Sequence, residues 1–158
     1  MKNKTNMHES IKAKQIEISL PYSECKPSEV TDVYWIYARR KKGKYLKSTP
    51  RSGKWLIFVD PKNVDKVWAK IKEATEGGKL GDSAKVATAK PNPLAGESEA
   101  KVICVYTYDW RDEMDVRKVR EELRKLGITN KIPYKVDEDT LSRKYRITGH
   151  RRISKYYE

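Results

Sequence analysis

The chain has 158 residues, 37% hydrophobic and 36% charged, and its 35 basic against 22 acidic side chains give a formal net charge of +13. That length suits one domain with a real hydrophobic core, and no apolar run approaches the roughly 20 residues that span a bilayer. The opening MKNKTNMHESIKAK has no apolar stretch behind its lysines, so it does not read as a secretory signal, and Cys25 and Cys104 form neither a disulfide framework nor a metal-ligand spacing. A soluble, cytoplasmic, strongly basic domain is expected.

Residues 1–14 are polar and lysine-bearing without a sustained period, which predicts a flexible basic tail. Ile16, Ile18 and Leu20 alternate with polar positions and predict a short strand ended by Pro21. Tyr34 to Arg39 (YWIYAR) is rich in strand formers, and Lys54 to Val59 (KWLIFV) reads as a central strand covered on both faces. Asp60-Pro61 then signals a helix start. Val64, Val67, Trp68 and Ile71 form its apolar stripe, and Gly77-Gly78 stops it. Ala84 to Ala89 reads as a strand, Pro91 to Glu99 as a loop, and Lys101 to Tyr108 (KVICVYTY) as the strongest strand. A second helix is capped by Asp112, carries Val116, Val119, Leu123 and Leu126 on one stripe, and closes at Gly127. Ile132 to Val136 is an expected edge strand, because Pro133 cannot donate to a central ladder. Asp137 to Arg146 reads as a short helix or turn.

Two convincing helices cannot cover both faces of a sheet of five or six strands. An α+β layer architecture follows, with the helices on one face and the other left as an exposed, concave surface. The predicted organisation is a single α+β domain over residues 15–147 and a basic C-terminal segment over 148–158.

The positive charge is clustered. Eight basic residues and no acid fall between Arg39 and Lys54, and six more without an acid between Arg143 and Tyr157, so these two runs outweigh the whole net charge. Tyr34, Trp35, Tyr37 and Tyr45 interleave with the first run, and Tyr145, Tyr156 and Tyr157 with the second. Cationic side chains beside stacking rings suit single-stranded nucleic acid; the plain alternative is a loop and a tail that keep the chain soluble.

The segments GKWLIFV (53–59), VDKVWAKI (64–71), VYTYDWRDEMDVRKVREELRKLG (105–127) and PYKVDEDT (133–140) together resemble the family around the basophilic leukaemia expressed protein, over roughly residues 33–146. The resemblance implies a fold similar to translation initiation factor 4E: α+β, a curved, mostly antiparallel sheet with two main helices packed on one face. Cap binding does not transfer with a fold. It needs two tryptophans around a methylated base, and no two of Trp35, Trp55, Trp68 and Trp110 align with that arrangement. Trp55 and Trp68 read as core, and Trp110 as exposed. Some relatives also carry the label of phosphothreonine lyase, an enzyme class that eliminates phosphate with a lysine base and a histidine acid.

For such a reaction the weak catalytic candidates are Lys85 and Lys135, on strands flanked by apolar neighbours, and His150; a strand lysine facing water is the alternative for each. No glycine-rich phosphate loop or nucleophile elbow is present, and no cofactor or metal is expected. The favoured expectation is a positively charged groove on the open sheet face that binds RNA or a nucleotide. Arg39, Lys85, Lys135, Arg143 and Lys144 would contact phosphate, and Trp35, Tyr145 or Trp110 would stack. The competing expectations are the lyase-like enzyme and a module that docks an acidic protein or a ribosome, in no case at a membrane.

Overall fold

A computed structural model describes residues 4–93, 99–137 and 154–158. Its elements run in the order α1 (Lys4–Ser19), β1 (Trp35–Arg39), β2 (Gly53–Val59), α2 (Val64–Glu76), β3 (Ser83–Ala87), β4 (Lys101–Thr107), α3 (Glu113–Lys125), β5 (Pro133–Val136) and β6 (Tyr156–Tyr157). The strands form one curved six-stranded sheet in the order β1-β3-β4-β2-β5-β6, every neighbour antiparallel.

The main core lies between the sheet and the pair α2 and α3. Val64, Trp68, Ile71 and Ala74 of α2 and Val116, Val119 and Leu123 of α3 pack on Ile36, Ala38, Trp55, Ile57, Ala84, Val86, Ile103, Val105 and Tyr134. Those sheet residues occupy alternate strand positions, as the pleat requires. The Trp55 indole also donates to the Val116 carbonyl at 3.1 Å, pinning β2 to α3. Asp112 caps α3 by accepting from the Asp115 N–H, while Asp60 accepts from the Lys62 N–H and caps the 3-10 turn at Pro61–Asn63 that leads into α2. Gly78 and Gly127, after the two helices, have φ of +77° and +98°, a region that disfavours side chains.

Three elements depart from the sequence expectation. Ile16 and Ile18 belong to α1, not to a strand, and α1 takes in residues 4–14, expected as a tail. Among the described side chains its docked side is a helical stripe, Lys12, Gln15, Ile16 and Ser19, in which only Ile16 is apolar; the competing alternation of Ile16, Ile18 and Leu20 mimics a strand. Next, β5 is not an edge strand, because β6 pairs outside it. Pro133 is tolerated there as the first residue of the strand. Finally, the face away from α2 and α3 is not bare: α1 lies on it, and Ile16 forms a second buried cluster with Tyr37, Cys104 and Tyr106. Burying one isoleucine is worth about 1.5–3 kcal/mol, so α1 is held far more weakly than α2 or α3. The segment from Asp137 to Arg146 lies, beyond Asp137, outside the described residues. Among the described residues no helix is long and apolar enough to cross a membrane.

Candidate functional site

Strand alternation sends Trp35, Tyr37 and Arg39 of β1 to the α1 side, along with Ser83 and Lys85 of β3, Cys104 and Tyr106 of β4, Lys54 and Leu56 of β2 and Lys135 of β5. In the register, Lys85 stands opposite Tyr37 on one side and Cys104 on the other. Lys54 stands opposite Tyr106 and also opposite Lys135. Lysines far apart in the chain therefore share one sheet face.

The Lys85 ammonium lies 4.0 Å from the centre of the Trp35 ring and 5.9 Å from that of Tyr37. Among the described residues it makes no hydrogen bond or ion pair. Burial pulls its pKa below the ordinary lysine value, and the nearby charges of Lys54 and Lys12 add to that. Lys54 is differently placed: its ammonium donates to Asp137 Oδ1 at 2.8 Å, and Ser52 Oγ donates to Oδ2 at 2.8 Å. Burial pushes the Asp137 carboxyl up, but Lys54 and Ser52 outweigh it and hold the group below the usual carboxylate range. Lys12, reaching down from α1, pairs with Asp82 at 3.1 Å. Its ammonium lies 4.2 Å from the Tyr106 ring centre, and that of Lys54 lies 5.6 Å from the same ring. The Ser83 hydroxyl is buried on this face without a hydrogen-bond partner among the described residues.

Of the residues singled out in the sequence, Lys85, Lys135, Arg39 and Trp35 lie on this face; Lys85 meets Trp35, while Lys135 is buried on β5, with three strands between it and β1, and Arg39 is exposed at the end of β1. Trp110 does not join them. It packs half-buried against the helix-side core, under the Lys155 ammonium at 4.1 Å, and its carbonyl accepts from Tyr156. Trp55 and Trp68 are 0% and 2% exposed in that same core. No two tryptophans can therefore enclose a base. Arg143, Lys144, Tyr145 and His150 lie outside the described residues. Lys12, Lys54 and Asp137 were not legible as a group, since their contacts join segments up to 83 residues apart.

The basic run from Arg39 to Lys54 is partly consumed by the fold. Arg40 donates to the carbonyls of Gly81, Lys42 and Leu80, Arg51 grips Asp109 with two nitrogens, and Lys41 pairs with Glu76 at 3.3 Å. Desolvation pushes Asp109 up, but hydrogen bonds from Arg51, the Arg111 N–H and Thr49 hold it below the carboxylate range. On the helix side, a groove of about 560 Å³ runs beside the end of α2, with Ala74 and Leu126 on its wall and Lys41, Lys42, Lys70 and Lys79 around it. Among the described residues no group of three His, Cys, Asp or Glu converges as a metal site.

The curved antiparallel sheet backed by two helices is shared with solved eIF4E structures. The chain is similar to schistosome eIF4E, solved with m7GpppA and 4E-BP, at 17% identity and a TM-score of 0.60, covering 84% of this chain and 74% of that one. It is similar to C. elegans eIF4E-3, solved with the 4E-binding protein Mextli and a cap analog, at 18% identity and 0.56 over 80% and 76%. For Ascaris suum eIF4E-3 with m7G cap the values are 18% and 0.52 over 78% and 67%. These identities establish the fold. Residues 46–140 match the family of Basophilic leukemia-expressed protein Bles03, and the chain belongs to that family.

Proposed function

We propose that the protein binds a phosphate-bearing ligand, an RNA segment or a nucleotide, on the α1 face of the sheet. The observation that carries this reading is Lys85: an ammonium held on an aromatic ring, half-buried and without an anionic partner among the described residues. A charge in that state is costly until an anion reaches it. Lys135 and Arg39 share its face, and Trp35 offers a ring for a base. Arg143, Lys144 and Tyr145 are proposed to complete the site from outside the described residues. Solved structures of this fold are complexes with m7GpppA and with a cap analog, so a nucleotide ligand for this fold has precedent.

The test is a titration of a labelled single-stranded RNA and of a nucleoside triphosphate at rising salt. Three to four phosphate contacts on a single strand give a log–log slope of roughly −2 to −3. Absence of binding at low salt, or a flat salt response, would overturn the reading.

A second reading rests on the lowered pKa of Lys85, which favours the free amine a lyase-like base requires. It predicts phosphate release from a phosphothreonine peptide, lost in Lys85→Ala with peptide binding retained.

A further inference from the structure

The helix α1 lies on the face that carries Lys85, and its buried anchor is set close to that residue. Ile16 packs in a cluster with Tyr37 and Cys104, the two side chains that flank Lys85 on the neighbouring strands. Around it the docking is polar. Lys12 pairs with Asp82, Tyr37 OH donates to Gln15 at 2.6 Å, and the Tyr37 N–H donates to Ser19 Oγ at 3.3 Å.

We propose that α1 is an autoinhibitory cover that must leave the sheet before a phosphate-bearing ligand engages Lys85; this rests on the reading of that face as the ligand site. Among the described residues, the covered state leaves the Lys85 ammonium without an anionic partner and the Ser83 hydroxyl without a hydrogen bond. Uncovering returns both to water, and an anion then gives Lys85 its partner. The docked pose also leaves Ile11 and Ile18, one stripe of the helix, 47% and 59% exposed. A helix whose better apolar stripe faces solvent is poorly matched to the surface it covers. Ligand and α1 thus compete for one face, and a ligand that binds only the open state shifts the population toward it.

The experiment uses the full chain and a single-stranded RNA decamer as probe. Affinity is measured for the wild type, Ile16→Asn and Gln15→Ala, and amide hydrogen exchange over residues 12–19 is followed with and without the RNA. The expected result is binding about fivefold or more tighter in Ile16→Asn, a smaller gain in Gln15→Ala, and faster exchange of α1 in the wild type once RNA is added. Equal affinities with unchanged exchange would overturn the cover and leave the ligand site standing. Weaker binding with slower exchange would overturn it by making α1 part of the site. If no protein binds RNA although α1 exchanges freely in Ile16→Asn, the ligand site falls and the cover with it. Should Ile16→Asn not fold, Gln15→Ala and the wild-type exchange decide the matter.

Discussion

The ammonium of Lys85 sits 4.0 Å from the centre of the Trp35 indole, reached across neighbouring antiparallel strands, β3 and β1. A cation over a ring gains about 0.5–2 kcal/mol, which holds the side chain without neutralising it. Lys85→Met should therefore raise stability at neutral pH by about 1 kcal/mol, since packed apolar groups often outperform buried ions. It should also lower affinity for phosphate ligands. Thermal melts and the RNA titration read the two effects separately.

The same residue sets a pH dependence. Its folded pKa is lower than the unfolded one, so the unfolded chain holds more protons between those two values. The burial penalty is complete below the folded value and fades as pH rises toward the ordinary lysine value of 10.5. The stability difference between Lys85→Met and the wild type should accordingly shrink in alkaline denaturation series.

Lys54 and Asp137 behave in the opposite sense. Their contact is sealed, with side chains 8% and 4% exposed, and removing one partner from such a pair costs about 3–5 kcal/mol. Lys54→Met should lose that much in urea unfolding. Because the Asp137 carboxyl is held below 3.8, its contribution is present above that pH and lost as pH falls through the folded value. Acid unfolding of Lys54→Met should begin at a higher pH than that of the wild type.

Arg120 is a buried tie on the opposite side of the sheet. It is 0% exposed, and its guanidinium donates to the carbonyls of Glu158, Ile128 and Asn130 at 2.7–2.9 Å. Arg120→Met strands the Ile128 and Asn130 carbonyls, while the Glu158 carbonyl keeps the Ile132 N–H, and it should cost about 3 kcal/mol. Arg124→Ala, which breaks only an exposed pair with Glu121, should cost less than about 0.5 kcal/mol. Equal losses in chemical denaturation would contradict this account of how β6 is held.

Gly81 adjoins the backbone of Tyr106, the residue whose ring faces both Lys12 and Lys54. A Cβ at position 81 would lie 1.9 Å from the Tyr106 carbonyl oxygen, so β4 or its neighbour must shift. Gly81→Ala should destabilise by about 1–3 kcal/mol, as overpacking does. The melt should fall while the variant stays monodisperse.

Much of this fold is legible in the chain. The i, i+3, i+4, i+7 stripes fix α2 and α3, the capping Asp112 fixes where α3 begins, and Asp60-Pro61 starts the 3-10 turn that leads into α2. Lys85 and Lys135 fall on one face, because strand alternation and antiparallel register leave few choices. What stays hidden is long-range or weakly apolar. The docked stripe of α1 is mostly polar, so periodicity favours the competing strand pattern. β6 is two residues long, too short to register among the flanking basic residues. Clustering of charge overstates the free cations, because Arg40, Arg51 and Lys54 find acceptors distant in sequence.

The most direct measurement follows the four tryptophan indole N–H signals in a two-dimensional NMR titration with a single-stranded oligonucleotide. Trp55 and Trp68 are sealed in the helix-side core and Trp110 packs against that core from the β4–α3 turn. Trp35 alone among them lies beside Lys85. The account predicts that the Trp35 signal shifts and the other three hold still. A shift confined to Trp110, or RNA binding that leaves Trp35 unmoved, would contradict it.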